Sequence, residues 1–207
     1  TAAHTSTTQT PGQTSGAAAM QGVMWIAVIG CCTGMSIPIV HLISHASDLG
    51  FDPQDGAQML TLLFTAAFFS RIAFGALSDR IGPTKTLMIG SFCQGAVLLL
   101  FASVSTLPGL YLAALLFGLG FAGIMPCYPL LIRILFPETE AGWRIAAQYM
   151  FAAAGMALGG WAGGVLFDMT GSYTAAFLAA AAATIANLCL VLLLHVQHTR
   201  IRRLALA

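Results

Sequence analysis

An arginine inside a long apolar stretch is the residue of this chain that most clearly suggests chemistry. Arg71 follows "MLTLLFTAAFFS" and lies seven residues before Ser78. In a helix, that separation corresponds to about 10 Å. A cation at such a depth must be paired, hydrated or directed at a ligand, and a planar guanidinium matches the geometry of a carboxylate. Arg71 is therefore a candidate for binding an anionic substrate. Snorkelling to the interface or a structural ion pair is the alternative.

Two histidines form a second candidate group. His41 and His45 are four residues apart, so a helix places both on one face, and Asp48 extends that face. Because imidazole titrates near neutral pH, both are candidates for proton coupling. Plain polar contacts are the alternative. Two histidines are too few for a metal site of fixed geometry, and no metal is predicted.

Three more polar side chains stand in apolar surroundings. Tyr128 lies between Pro126 and Pro129. These prolines lack N–H donors and can bend a helix or open backbone carbonyls to a cavity. Tyr128 could contact a ligand there or simply pack. Gln148 and Tyr149 are candidates for substrate binding, with interhelical hydrogen bonds as the alternative.

The densest group of charges is "GALSDRIGPTK", which begins at Gly75. Gly75 and Gly82 allow close helix contact and a turn. Asp79 can accept hydrogen bonds from helix N-terminal amides, while Arg80 and Lys85 can reach a carboxylate or an anionic lipid. The segment reads either as a conformational latch or as a plain positive anchor.

The elements that must position these residues are transmembrane helices. Of the 207 residues, 58% are hydrophobic and only 7% are charged, too few to cover a soluble domain. Apolar runs long enough to cross a bilayer occur six times. Short Gly-, Pro- and Asp-containing connections separate them. Three glycines in the fifth run, at four-residue spacing, predict close helix packing: Gly155, Gly159 and Gly163. The predicted spans are 23–46, 57–77, 86–104, 110–135, 145–167 and 174–196.

Charge distribution predicts domain limits and orientation. Residues 1–22 contain no Asp, Glu, Lys or Arg and are predicted to be a flexible polar linker. The six-helix domain is predicted over 23–198 and a basic cytoplasmic tail over 199–207. All eight Lys and Arg residues fall at or toward the face that holds both chain ends, so the positive-inside rule places both termini in the cytoplasm.

An internal repeat relates the two halves of the chain. "GALSDRIG" and "GVLFDMTG" share the pattern G-x-L-x-D-x-x-G at an offset of 89 residues. This offset superposes spans one to three on spans four to six. Because each unit has an odd number of spans, the units must be inverted, as in many secondary transporters. The second copy has Met169 where the first has Arg80, as expected for the outward side.

These motifs resemble a known family. "GALSDRIGPTK" is similar to the loop signature of the major facilitator superfamily, between the second and third helices of each six-helix half. "IVHLISHASDLGFDPQDGAQML", "LLFGLGFAGIMPCYPLL" and "GGVLFDMTGSYTAAF" resemble the carboxy-terminal half of monocarboxylate-transporter-like and oxalate/formate-antiporter-like carriers. The resemblance implies half of a twelve-helix facilitator fold. It also implies that Arg71 contacts a substrate carboxylate, and that the loop holds the outward-open state.

The sequence thus predicts an all-α membrane protein of six transmembrane helices, arranged as two inverted three-helix repeats. The expected function is secondary active transport of a small organic anion, most simply a monocarboxylate, as an antiporter or a proton-coupled symporter. The alternatives are a drug or sugar facilitator and a membrane scaffold without a transport cycle. The expected surroundings are a bacterial inner membrane and either a missing amino-terminal half or a second copy. Neither enzyme chemistry, a cofactor nor a nucleic-acid partner is expected.

Overall fold

The computed structural model describes the backbone of residues 11–205 and the side-chain surroundings of residues 16–196. Within that range the secondary structure is helical, without strands. Six segments are long and apolar enough to cross a membrane, which confirms the predicted number of spans. The helices are α1 (Pro11–Asp48), α2 (Pro53–Ile81), α3 (Pro83–Ser103), α4 (Leu107–Phe121), α5 (Ile124–Leu135), α6 (Glu138–Thr170) and α7 (Thr174–Ala205).

Three helix boundaries differ from the predicted limits. Helix α1 begins at Pro11, so residues 11–22 are helical and not part of a flexible linker. Residues 1–10 of the expected linker lie outside the described residues. Helix α6 begins at Glu138, seven residues before the predicted span, because polar first turns of a helix escape a search for apolar runs. Helix α7 continues to Ala205, into the expected basic tail.

Short connections hold consecutive helices in antiparallel order. Asp52 caps α2, accepting a 2.8 Å hydrogen bond from the Gln54 amide through its Oδ1. Gly82 alone joins α2 to α3, at a φ of 87° that glycine adopts without strain. Gly171 ends α6 in the left-handed conformation, with a φ of 66°.

The fourth span is broken into α4 and α5 at residues 122–123, next to the prolines expected to bend it. A proline ring at Pro126 clashes with the carbonyl of Ala122, four residues earlier, and Pro126 cannot donate to that carbonyl. A side chain of α2 packs against the break. A Cβ atom at Gly123 would overlap the Phe74 ring of α2, so glycine is required by space.

Helix packing has the symmetry of an inverted repeat. The first triplet is α1, α2 and α3; the second is the α4–α5 segment, α6 and α7. The most extensive contacts join α1 to α6, α3 to α7, α1 to α7 and α2 to α4. Exchanging the triplets maps the α1–α6 pair onto the α4–α2 pair and leaves the α3–α7 pair unchanged. The odd number of spans between Gly82 and Gly171 places these two turns on opposite faces.

The glycine spacing in α6 forms the α1–α6 seam, as predicted. Cβ atoms added at Gly155, Gly159 or Gly163 would collide with α1. Side chains of α1 also donate to carbonyls of this stripe: Ser36 Oγ lies 2.7 Å from the Met156 oxygen, and Thr33 Oγ1 lies 3.2 Å from the Gly155 oxygen. The seam therefore combines backbone proximity with interhelical hydrogen bonds.

Burial is uneven among the spans. In the most apolar 18-residue window of α2, and likewise of α6, only 22% of residues are buried, against 61% in the α4–α5 segment. These helices occupy equivalent positions in the two triplets. Their outward sides are therefore the least covered surfaces of the bundle, and we call them the open faces of α2 and α6.

Candidate functional site

Arg71 lies on the open face of α2. Met59, Leu63 and Ser70 form a buried stripe along this helix, and Ser70 Oγ donates to the Leu119 oxygen of α4. Phe68 and Arg71 are exposed on another side of α2. Among the residues that the structure describes, Arg71 has neither an ion-pair partner nor a hydrogen bond.

Arg71 is also far from the helix end. It stands ten residues before Ile81, the last residue of α2, which is about 15 Å along the axis. The structural ion pair weighed from the sequence is thus not formed with any described residue of this chain. A guanidinium at this depth retains its capacity for a ligand.

The remaining three candidates for substrate contact divide between surface and interior. Tyr149 is exposed on α6. Gln148 is buried and joins α6 to α1, since its Nε2 donates to the Met24 oxygen at 3.1 Å. Its Oε1 lies 3.5 Å from Nε2 of Gln21. In this arrangement Gln148 serves helix packing, while Tyr149 shares with Arg71 a location on an open face.

Tyr128 belongs to an interior polar chain. Its Oη donates to Oδ1 of Asn187 at 2.8 Å, and Nδ2 of Asn187 donates to Oγ of Ser91 at 2.8 Å. A second chain lies nearby, where Nε2 of Gln94 donates to the Cys31 oxygen at 3.0 Å and approaches Oγ1 of Thr184 at 3.2 Å. The two chains tie α1, α3, α5 and α7 together. The hydroxyl of Tyr128 is therefore engaged within the bundle.

The two histidines lie together near the turn between α6 and α7. His41 Nε2 is 2.9 Å from the Gly160 oxygen, which it can reach only as a donor, and the His41 ring packs against Tyr173. His45 meets the edges of Tyr173 and Phe177, and its buried Nε2 has no hydrogen-bond partner. The pair is brought together as the four-residue spacing predicts, but the rings differ in what occupies their nitrogens.

The charged segment between α2 and α3 is exposed. Gly75, Asp79, Arg80 and Lys85 all face outward. Gly82, the N-cap residue of α3, has no side chain that could cap the helix, and within residues 16–196 no hydrogen bond joins the Asp79 carboxylate to the first amides of α3. Among residues 16–196 the Asp79 carboxylate has neither a hydrogen-bond nor an ion-pair partner.

Sequence reasoning missed a polar cluster around Arg144, which had been counted only as a positive charge. Arg144 is buried, and its Nη2 lies 2.6 Å from Oε2 of Glu140, one turn earlier. Its Nη1 donates to Oε1 of Gln21 on α1 at 3.2 Å. The sequence signal was the E-x-x-x-R spacing in "ETEAGWR", which predicts an i, i+4 pair.

Comparisons with known proteins agree on one family. The model of the Major Facilitator Superfamily matches residues 24–205. The chain is 31% identical over 157 residues to Monocarboxylate transporter 13 of Bos taurus, and 32% identical over the same length to that of Rattus norvegicus. Each alignment covers 75% of this chain and 37% of the relative, so the chain spans well under half of these relatives.

Two other similarities bear on fold and specificity. Multidrug resistance protein MdtG of Escherichia coli O1:K1 / APEC is 29% identical over 154 residues, covering 70% of this chain and 38% of that protein. The crystal structure of the E. coli fucose:proton symporter superposes with a TM-score of 0.68 at 18% identity, covering 83% of this chain and 42% of that one. At that identity the superposition shows a shared fold and nothing finer.

Proposed function

Because the chain belongs to the Major Facilitator Superfamily and is a multi-pass membrane protein, we propose that it forms one half of a secondary carrier for a small organic anion. A monocarboxylate is the simplest substrate of this class. The observation that carries the proposal is Arg71: a guanidinium deep in a transmembrane helix, exposed on the open face of α2 and without a partner among the described residues. The names of the monocarboxylate transporter relatives favour the same class.

Arg71 would bind the substrate by a bidentate contact. Its fork of N–H groups meets both oxygens of a carboxylate, and such charge-assisted bonds are about twice as strong as neutral ones. Before substrate binds, the cation needs water, so Arg71 must face a wet cavity and not lipid. A second six-helix unit, or a second copy of this chain, would cover the open faces of α2 and α6 and complete that cavity.

Transport would follow from rocking of the two units about the central site. The inverted triplets supply the symmetry that alternating access uses in such carriers. We place both ends of the chain in the cytoplasm of a bacterial cell, with the α2–α3 turn on the cytoplasmic side of the inner membrane, because the cations cluster at that face. His45, whose Nε2 is unpaired, is the stronger of the two candidates for proton coupling.

The test is uptake of labelled monocarboxylates by proteoliposomes containing the full-length protein. Arg71→Lys keeps the charge but loses the fork, and Arg71→Gln loses both. We expect uptake to fall about tenfold in Arg71→Lys and about a hundredfold in Arg71→Gln, as for removal of a charge-assisted contact. Arg133→Lys, at an exposed arginine in the last turn of α5, is the matched control. Full uptake by both Arg71 variants would contradict the proposal.

A second candidate is a facilitator for apolar drugs. The multidrug-resistance relative favours it, as does the aromatic surface of α2, where Phe64, Phe68 and Phe69 are exposed. This function predicts that Arg71 is dispensable and that aromatic-to-alanine substitutions on α2 reduce efflux of a lipophilic dye. The two candidates therefore predict opposite results for the same Arg71 variants.

A further inference from the structure

A cavity of about 490 Å³ lies where the start of α1, the end of α5 and the start of α6 meet. Its volume is within the range of small-molecule sites. Most of the wall is apolar or aromatic, and a few polar groups converge on one side of it. The wall residues used below are Gln21, Trp25, Phe136, Glu140, Trp143 and Arg144.

The guanidinium of Arg144 is held in this wall with donors to spare. Its Nε and Nη2 donate to Oε2 of Glu140 at 3.0 and 2.6 Å, and its Nη1 donates to Oε1 of Gln21. A guanidinium carries five N–H groups, so two have no acceptor among residues 16–196. Its Cζ lies 4.0 Å from the Phe136 ring centroid and 4.6 Å from that of Trp143, which fixes its orientation.

Trp25 is a second residue of this wall that carries an unused donor. Its ring stacks on Phe151 with centroids 4.6 Å apart, and its buried Nε1 has no hydrogen-bond partner. A buried donor without an acceptor is costly, and native structures rarely retain one. Arg144 and Trp25 thus bring three N–H groups without an acceptor among residues 16–196 to the wall of one cavity, and a carboxylate offers two acceptor oxygens.

We propose that this cavity binds the carboxylate of a small organic anion, with an apolar or aromatic body against its walls. Arg144 supplies charge and two N–H groups, Trp25 supplies a third, and Phe136 and Trp143 supply apolar surface. Glu140 competes for the same guanidinium, and its side chain is 31% exposed, so it can turn toward solvent when an anion enters. The site is separate from Arg71, which lies on α2, and it does not depend on the function proposed there.

Equilibrium binding of radiolabelled benzoate to the full-length protein tests the proposal. Measuring it in the Arg71→Gln background excludes binding at Arg71, so this test can fail or succeed independently of the transport experiment. Benzamide, the neutral analogue, serves as the ligand control. We expect benzamide to bind at least about tenfold more weakly, because charge-assisted hydrogen bonds are the stronger ones.

Two substitutions in the cavity wall should weaken benzoate binding, and a third should strengthen it. Arg144→Gln should weaken binding about tenfold or more, and Trp25→Phe, which keeps an aromatic ring opposite Phe151, about threefold. Glu140→Gln should strengthen binding several-fold, because it removes the competing carboxylate. Arg133→Gln, at an exposed arginine in the last turn of α5 that does not line the cavity, should leave affinity unchanged.

The opposite results would overturn the assignment. If Arg144→Gln fails to fold, the other two variants still decide, since each leaves the guanidinium in place. Equal benzoate affinity in Trp25→Phe, Glu140→Gln and the parent protein would exclude the cavity as the site. Displacement of benzoate by dioleoylphosphatidylglycerol at membrane concentration would show that a lipid phosphate occupies it, and would equally overturn the assignment to a soluble carboxylate.

Discussion

The interior of the bundle and the open face of α2 treat polar side chains in opposite ways. Inside, Tyr128, Asn187 and Ser91 satisfy one another at hydrogen-bond distance. On the open face, Arg71 has no partner among the described residues. A polar group within a membrane is expensive in either place. The interior groups therefore stabilise one packing of the helices, whereas Arg71 keeps its hydrogen-bond donors unused among the described residues.

Substitution at the α1–α6 seam should produce the largest loss of stability. Gly159→Ala places a Cβ against the Thr33 oxygen and the Ser36 side chain, and neither helix backbone can yield easily. Overpacking of this kind costs about 1–3 kcal/mol. The expected result is a lower free energy of unfolding in denaturant titrations. Gly142→Ala, whose Cβ would meet nothing within 4 Å, is the matched control on the same helix and should be neutral or slightly stabilising.

Removing the centre of the interior chain should come next in magnitude. Asn187→Ala deprives the Tyr128 and Ser91 hydroxyls of their shared hydrogen-bond partner, so the free energy of unfolding should fall by about 1–2 kcal/mol. The KM for uptake should remain unchanged in the surviving folded protein. A selective rise in KM at normal stability would contradict the packing role of the interior chain, because it would indicate that this chain contacts substrate.

A pair of tyrosine variants sharpens the contrast between interior and open face. Tyr128→Phe removes a buried hydroxyl and should lower stability by about 0.5–1 kcal/mol without altering KM. Tyr149→Phe removes an exposed hydroxyl and should leave stability within experimental error. It should raise the KM a few-fold, because the open face of α6 belongs to the substrate cavity proposed beside Arg71. Thermal unfolding measures the stability of each variant, and uptake kinetics measure its KM. Reversal of the pattern would assign the ligand to the interior.

The smallest effect on stability is expected at the charged turn. Asp79→Ala should leave the unfolding free energy nearly unchanged, because Asp79 is exposed and caps neither α3 nor another described helix. Under the proposed function its effect is on the balance of conformations: labelling of cysteines placed on the two sides of the full-length protein should shift between inward- and outward-accessible positions. Identical labelling in the variant and the parent would leave the turn as a simple positive anchor.

The fold could be predicted from hydropathy because one-dimensional signals determine it. Continuous apolar runs give the spans, and the repeated G-x-L-x-D-x-x-G pattern indicates the inverted triplets. Pro126 likewise indicates a bend in the fourth span, which the structure shows as the break between α4 and α5. The start of α1 at Pro11 could not be found in this way, since its first turns are polar and carry no apolar periodicity.

The placement of polar side chains was less predictable because it depends on residues distant in the chain. The residues near Gln148 in the sequence do not indicate that its side chain forms hydrogen bonds with Gln21 and the Met24 carbonyl on α1. In the sequence Arg144 is only one of eight cations at the face that holds both chain ends, yet the structure buries it against Phe136 and Gln21. Such pairings become visible only when the helices are packed.

The connection between α2 and α3 has a mechanical consequence. A single residue, Gly82, separates Ile81 from Pro83, and the proline ring fixes the backbone torsion that follows. The link therefore has no slack, and any tilt of α2 must drag the adjoining end of α3 along. Between α1 and α2, four residues intervene, and a longer tether of this kind can absorb movement. The ends of α2 and α3 that flank Gly82 are therefore expected to move together.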